Sequence, residues 1–423
     1  MTRSAAPRFT RSPQWLVACL LTPLSAAALA GQAQSNGFIE DATVNLGARN
    51  FYFNRDFRQD GASQSKQEEW AQGFLLQAQS GYTQGTVGFG MDLVGMLGVK
   101  LDSGGSRANT GLLPTNADGH SADDFSRLGA VGKVRVSNTE LKVGELLPEL
   151  PILLRNDARL LPQSFQGGML TSKEISGVTL YGGQLRSLSA RNSSNHEDLS
   201  ADGHAGATSD RFNYVGGEYR FNQERTLVGV WQAQLEDIYQ QRYYNIQHKQ
   251  KLGEWAVSAN VGLFTGADEG SAKAGHLDNN AFTSVFSIGR AGHTLSAGYQ
   301  SMSGDSGGLL VAGASTPLVN DVQVRNFVLT DERSWQARYD YDFAAAGVPG
   351  LTAFARYIKG DNVSLTNGDE GQEWERDLDI TYTIQSGPLK SLAVRLRNAM
   401  VRSSFGADID ENRLILAYSI PFK

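Results

Sequence analysis

The chain runs to 423 residues, with 38 Lys+Arg against 44 Asp+Glu, a formal charge of −6 and a single cysteine. One cysteine excludes a disulfide scaffold and a cysteine-ligated metal centre, and an acidic balance is no electrostatic footprint for nucleic acid. Length alone would allow two or three domains, yet no low-complexity or Pro/Ser-biased linker divides the chain.

Residues 1–30 read as an export signal, leaving 31–423 as one domain. Arg3, Arg8 and Arg11 supply the positive start, Trp15 to Leu29 a mostly apolar run, and Ala28-Leu29-Ala30 a cleavage site, with a second site ending at Ala33. The run is too short and too rich in small residues for a stable membrane-spanning helix. Leu16-Val17-Ala18-Cys19 has the form of a lipid-attachment box, but few apolar residues precede it and the apolar run continues beyond. Removing the signal takes Cys19 and three arginines, leaving 35 basic residues against 44 acidic ones, a charge of −9.

Beyond residue 30 no apolar run could span a membrane as a helix, and a period of two recurs instead. Val87, Phe89, Met91 and Leu93 share one face, with Gly88, Gly90 and Asp92 on the other. Looser alternation follows at 126–136, 213–221, 255–263 and 293–300. Trp335 to Phe343 alternate with Ser334 to Asp342, and Trp374, Leu378, Ile380 and Tyr382 with Glu375, Asp377, Asp379 and Thr381. Leu414, Leu416, Tyr418, Ile420 and Phe422 close the chain on one face. Alternation by itself says only half-buried antiparallel strands, as in a soluble sandwich or solenoid.

Three features favour a membrane barrel. The segments are about ten residues long, the length a tilted strand needs to cross a bilayer. Aromatics cluster near segment ends, as an interface girdle requires. The polar face carries too many charges for a second packed core. The predicted fold is therefore all-β: a single transmembrane antiparallel barrel whose closure leaves no unpaired edge in lipid, with roughly sixteen to eighteen strands. Leu101–Asp124 and Asn192–Asp210 read as polar external loops, and Gly347–Gly350 and Gln385–Pro388 as short periplasmic turns.

One connection stands apart. From Gly144 to Leu170 the chain reads GELLPELPILLRNDARLLPQSFQGGML. Pro148, Pro151 and Pro162 exclude a strand interior, and its leucines argue against disorder. A loop this long is usually functional, and a barrel offers it an inner wall to fold against. Its centre carries Arg155, Asp157 and Arg159.

The same parity sorts the arginines. Leu392, Val394 and Leu396 facing lipid put Arg395 and Arg397 in the lumen. Arg127, Lys133, Arg135, Arg338 and Arg413 also fall inside, Arg356 with them, and Arg49 less clearly because its strand's parity blurs at Phe51. A row of always-charged forks matched to carboxylates would attract an acid and pass it along. The alternative is that these arginines merely neutralise Glu375, Asp377 and Asp379.

Enzyme signals are weaker. Gly304-Asp305-Ser306-Gly307-Gly308 coincides with the nucleophile motif of chymotrypsin-like serine proteases, but it lies in a connection and no matching histidine context accompanies it. The histidines lack metal-ligand spacing, and no Gly-rich loop opens a helix for phosphate.

Over essentially its whole mature length the chain resembles the OprD-type porins, the outer-membrane carboxylate channel family of pseudomonads and relatives. The resemblance rests on RNFYFNRDF at 49–57, EWAQGF at 69–74, GMLGVKLDSG at 95–104 and LRNDARLLPQSFQG at 154–167. It continues through RSWQARYDYDF at 333–343, GVPGLTAFARYIKGDN at 347–362, EWERDLDITYTIQSGPLKSLAVRLRNAMVRS at 373–403 and DENRLILAY at 410–418.

It implies an eighteen-stranded barrel in the bacterial outer membrane that takes up small carboxylates such as amino acids, dipeptides or aromatic acids. No cofactor is implied. The 144–170 stretch corresponds to an inward-folded loop facing a second one from Gly304 to Asn320, which places Asp305 and Ser315 near the narrowest point. Arg395, Arg397 and Arg413 match basic positions of the last strands. Asp157 or Asp305 would engage an ammonium or guanidinium, favouring basic or zwitterionic amino acids. Serine-peptidase activity, proposed for such proteins, keeps Asp305-Ser306 as an alternative, as does a non-channel barrel hydrolase. Expected partners are membrane lipid, the substrate and the barrel assembly machinery, with the chain a monomer or a loose homotrimer. Phe422 followed by Lys423 departs from the usual aromatic end, and GGLLVAGAST at 307–316 is unusually plain for a selective loop.

Overall fold

The computed structural model describes residues 31–59, 62 and 64–422; the expected export signal and Lys423 lie outside the described residues. Eighteen strands make one antiparallel sheet. They are β1 (Thr43–Phe57), β2 (Lys66–Gln79), β3 (Val87–Ser103), β4 (Asp124–Val136), β5 (Thr139–Leu146), β6 (Ser164–Ser172), β7 (Val178–Ser189), β8 (Phe212–Phe221) and β9 (Thr226–Leu235). There follow β10 (Tyr239–Leu252), β11 (Trp255–Asp268), β12 (Asp278–Arg290), β13 (His293–Ser303), β14 (Arg333–Asp342), β15 (Leu351–Ser364), β16 (Glu370–Thr383), β17 (Ala393–Ser403) and β18 (Ile409–Pro421). Each pairs with the next, and β18 closes on β1 with Asn45 opposite Pro421 and Phe57 opposite Ile409.

The alternation decides which side chains face where, and the result is inverted relative to a soluble protein. Leu128 is 81% exposed, and Phe89, Phe286, Leu295 and Leu396 also stand on the outer surface, whereas Glu375 and Asp377 are fully buried inside. So much contiguous exposed apolar surface is stable only against lipid. Most strands run longer than the ten residues expected; β3 has 17. Its last part, with Lys100 and Asp102, is polar and continues past the apolar belt towards the long loops.

Both ends of the described chain and the short turns, including 343–350 and 384–392, lie at one rim, and the long connections at the other. Four of the long ones fold into the lumen, and three of these are joined to one another by backbone hydrogen bonds. Ser315 N donates to Leu154 O at 2.8 Å, Ala312 N to Ser200 O at 2.9 Å and Asp202 N to Leu310 O at 2.9 Å, joining 147–163, 304–332 and 190–211. The expectation that Asn192–Asp210 is merely an external loop is thereby corrected: Leu199, Ala201 and Ala207 are buried with Leu150, Leu153, Val311 and Leu318. The 101–124 connection is corrected likewise. Leu112 and Leu113 pack with Phe51, Phe53, Leu160 and Leu161 in a second cluster. Apolar residues in these loops hide from water by folding inward, so the molecule's core lies inside its barrel.

Candidate functional site

The constriction begins with Arg49 on β1. Its guanidinium donates to Asp157 Oδ1 at 2.9 Å, to Asp157 O at 3.3 Å and to the Arg159 carbonyl. The blurred parity of this strand has a simple cause. Phe51 and Phe53 face the lumen with Arg49 because Leu160 and Leu161 of the loop cover them.

Arg159 is buried, donates Nε to Thr110 O at 2.9 Å and lies 5.0 Å from the centre of the Phe53 ring. Arg413 and Arg55 approach the same ring, each at 5.3 Å. These two share one carboxylate, Glu411, at 2.6 Å from each. Gln323 Nε2 also donates to Glu411, at 3.0 Å.

From β14 to β18 the wall carries further arginines, each beside an acid. Arg338 pairs with Asp340 at 2.6 Å and Arg356 with Asp377 at 2.5 Å. Arg395 and Arg397 meet one carboxylate, Asp379, at 2.7 and 3.0 Å. Pairs of this kind orient the guanidinium while leaving donors over for a second acceptor.

Not every residue singled out from sequence reaches this place. Arg127 ties two loops to the wall, donating to Ala190 O and Pro162 O, both at 2.7 Å. Lys133 and Arg135 sit at the short-turn rim. Lys133 pairs with Asp92 at 2.5 Å, and Arg135 donates to Gln32 Oε1 at 3.1 Å while covering the Tyr82 ring at 4.0 Å. Arg155 turns back onto its own loop, against Glu149 at 2.6 Å and Leu147 O.

Ser315 lies at the junction of the two loops. Asp305 does not: its largely exposed carboxylate faces His276 at 3.6 Å on the outer side. Ser306 donates its hydroxyl to Asp278 O at 2.9 Å, while His276 faces Asp268 and Asp305.

Sequence reasoning missed Arg55, Glu411, Thr110, Gly111 and Arg191. Arg55 was within reach, since it shares parity with Arg49. Arg191 and Gly111 lie in connections, which carry no period.

The second inward loop holds a titratable group of its own. Glu332 is fully buried, with one oxygen accepting from Leu329 N at 3.0 Å and the other without a hydrogen-bond partner. Burial, then the neighbouring Glu373, pushes its pKa up to about 8; Arg325 opposes this and Asp361 adds to it. A carboxyl less acidic in the folded chain than at its ordinary 4.5 contributes fully below that value and loses its contribution as pH rises through 8. Glu332→Gln is therefore expected to keep the folded, fast-migrating form to a higher temperature than wild type at about pH 9, with no gain at about pH 4. The same difference at both pH values would refute the assignment.

A closed barrel, apolar outside, charged inside and narrowed by its own loops, defines a channel-forming outer-membrane porin. Residues 36–422 match the family model described as outer membrane porin, OprD family. The chain belongs to that family. It is 50% identical to the porin-like protein GalP of Pseudomonas putida over 400 residues, covering 93% of this chain and 96% of that one. Among solved structures, Pseudomonas aeruginosa OccK9 (OpdG) superposes with a TM-score of 0.91 at 66% identity, over 91% of this chain and all of that one. Pseudomonas aeruginosa OpdK, solved with vanillate, superposes at 0.88 with 48% identity, over 91% of this chain and 100% of that one.

Proposed function

We propose that this porin is a substrate-selective channel for passive uptake of small carboxylates. The observation that carries the proposal is the wall from Arg338 to Arg413, where guanidiniums on β14, β15, β17 and β18 line one side of a lumen narrowed by the 147–163 loop. Each step offers a carboxylate donors already aligned, and no single one holds it alone, which is what conduction needs. That OpdK, 48% identical, was solved with vanillate supports a carboxylate as the recognised group.

Charge balance refines the expectation of basic amino acids. Asp157 is engaged by Arg49, and Asp305 stands at the outer side. Neither therefore stands as a free acid for an ammonium group at the constriction, which favours acids without a basic group.

The test removes charge without orphaning Asp379. Combining Arg395→Gln and Arg397→Gln with Asp379→Asn is expected to lower carboxylate flux through planar bilayers roughly tenfold, the worth of a charged hydrogen bond. Heat-modifiable migration should be unchanged. Unaltered flux in a folded variant would refute the wall's role.

A further inference from the structure

The wall arginines Arg338, Arg356, Arg395 and Arg413 each meet a carboxylate, but two guanidiniums at the constriction do not. Arg159 donates only to carbonyls, those of Thr110 and Ala158. Arg191, half-buried on the 190–211 connection, makes no ion pair or hydrogen bond among the described residues. The two flank Gly111: a Cβ added there would lie 3.4 Å from an Arg191 terminal nitrogen and 3.7 Å from Arg159 Nε. Gly111 also has φ +77°, a conformation that side chains disfavour, so glycine both makes the turn and leaves the space open.

Four guanidiniums (Arg55, Arg159, Arg191 and Arg413) thus gather around two carboxylates, Glu411 and Asp321 of the second inward loop. Burial first, then Arg413 and Arg55, pull the Arg191 pKa down to about 10, with Asp321 and Glu411 opposing, the direction expected where cations outnumber anions. One substrate carboxylate engages one fork and leaves the other uncompensated.

We infer that Arg159 and Arg191 form a second anion subsite flanking Gly111, so that the preferred substrate carries two carboxylates. This rests on the carboxylate-channel reading and narrows it. A short dicarboxylate bridges the pair to the wall arginines, whereas a monocarboxylate of equal length occupies only one end.

Succinate and butyrate share a chain length and differ by one carboxylate, which makes them the probes. With the mature protein in planar bilayers, the concentration that half-blocks small-ion current is expected to be roughly tenfold lower for succinate than for butyrate. Arg191→Gln should raise the succinate value to that of butyrate and leave butyrate little changed. Arg191→Lys, which keeps the charge but not the fork, should recover part of the difference. Equal wild-type values, or equal losses for both acids in Arg191→Gln, would overturn the dicarboxylate inference while leaving the channel intact. Passage of ions with block by neither acid would instead overturn the carboxylate reading beneath it.

Discussion

Arg49→Ala is expected to raise single-channel conductance severalfold and to abolish saturation by carboxylates. Arg49 is the tie between the barrel wall and the centre of the 147–163 loop, holding the Asp157 carboxylate and the carbonyls of Asp157 and Arg159. Breaking a buried pair on one side costs about 3–5 kcal/mol, somewhat less here because Asp157 keeps some contact with water. Against that loss stands the burial of Leu153, Leu160 and Leu161, at about 1.5–3 kcal/mol each.

The leucines win, so the loop stays in the lumen. Its charged centre does not keep its position. The variant should migrate as a folded barrel yet carry larger, noisier current steps. Arg49→Lys should fall between the two, since one ammonium cannot serve a carboxylate and two carbonyls with the geometry of a fork. Unchanged conductance in Arg49→Ala would show that the apolar contacts alone set the aperture.

Glu411→Gln is expected to have the largest effect on stability. Glu411 is fully buried and accepts from Arg413 Nε at 2.6 Å, from Arg55 Nε and a terminal Arg55 nitrogen at 2.9 and 2.6 Å, and from Gln323. Neutralising it keeps the shape but leaves adjacent guanidiniums without an anion, at a cost of about 3–5 kcal/mol.

The readout is the temperature at which the fast-migrating folded form is lost in a fixed heating time, because such a barrel unfolds on a kinetic scale. Glu411→Gln should lower it clearly. Combining it with Arg55→Gln should recover only part of the loss, since the buried Arg413 still lacks its anion. An unchanged temperature in the single variant would mean that pore water already screens these charges.

Much of this was legible along the chain. Val394 and Leu396 facing out force Arg395 and Arg397 in, and the barrel bears that parity out in β17. Three prolines among leucines marked 144–170 as a packed loop before any wall was visible, although 144–146 and 164–170 belong to β5 and β6 and only 147–163 folds inward. The readings that shifted concern connections. Leu112, Leu113 and Leu199 lie in stretches read as external because their polar neighbours dominate the composition, yet each is fully buried.

What the sequence by itself determined is therefore the wall: an antiparallel barrel, its lipid face and the side chains turned inward. Each strand residue has only two environments to choose between, and a local period of two reports the choice. The tertiary structure alone decided which inward charges remain available. Arg49 meets Asp157 and Arg55 meets Glu411 across long separations in the chain, through barrel closure and loop docking that no local pattern encodes. Whether a lumenal arginine awaits a substrate or is already paired depends on those meetings. They leave Arg159 and Arg191 without an ion-paired carboxylate among the described residues and take Asp157 away from any ammonium.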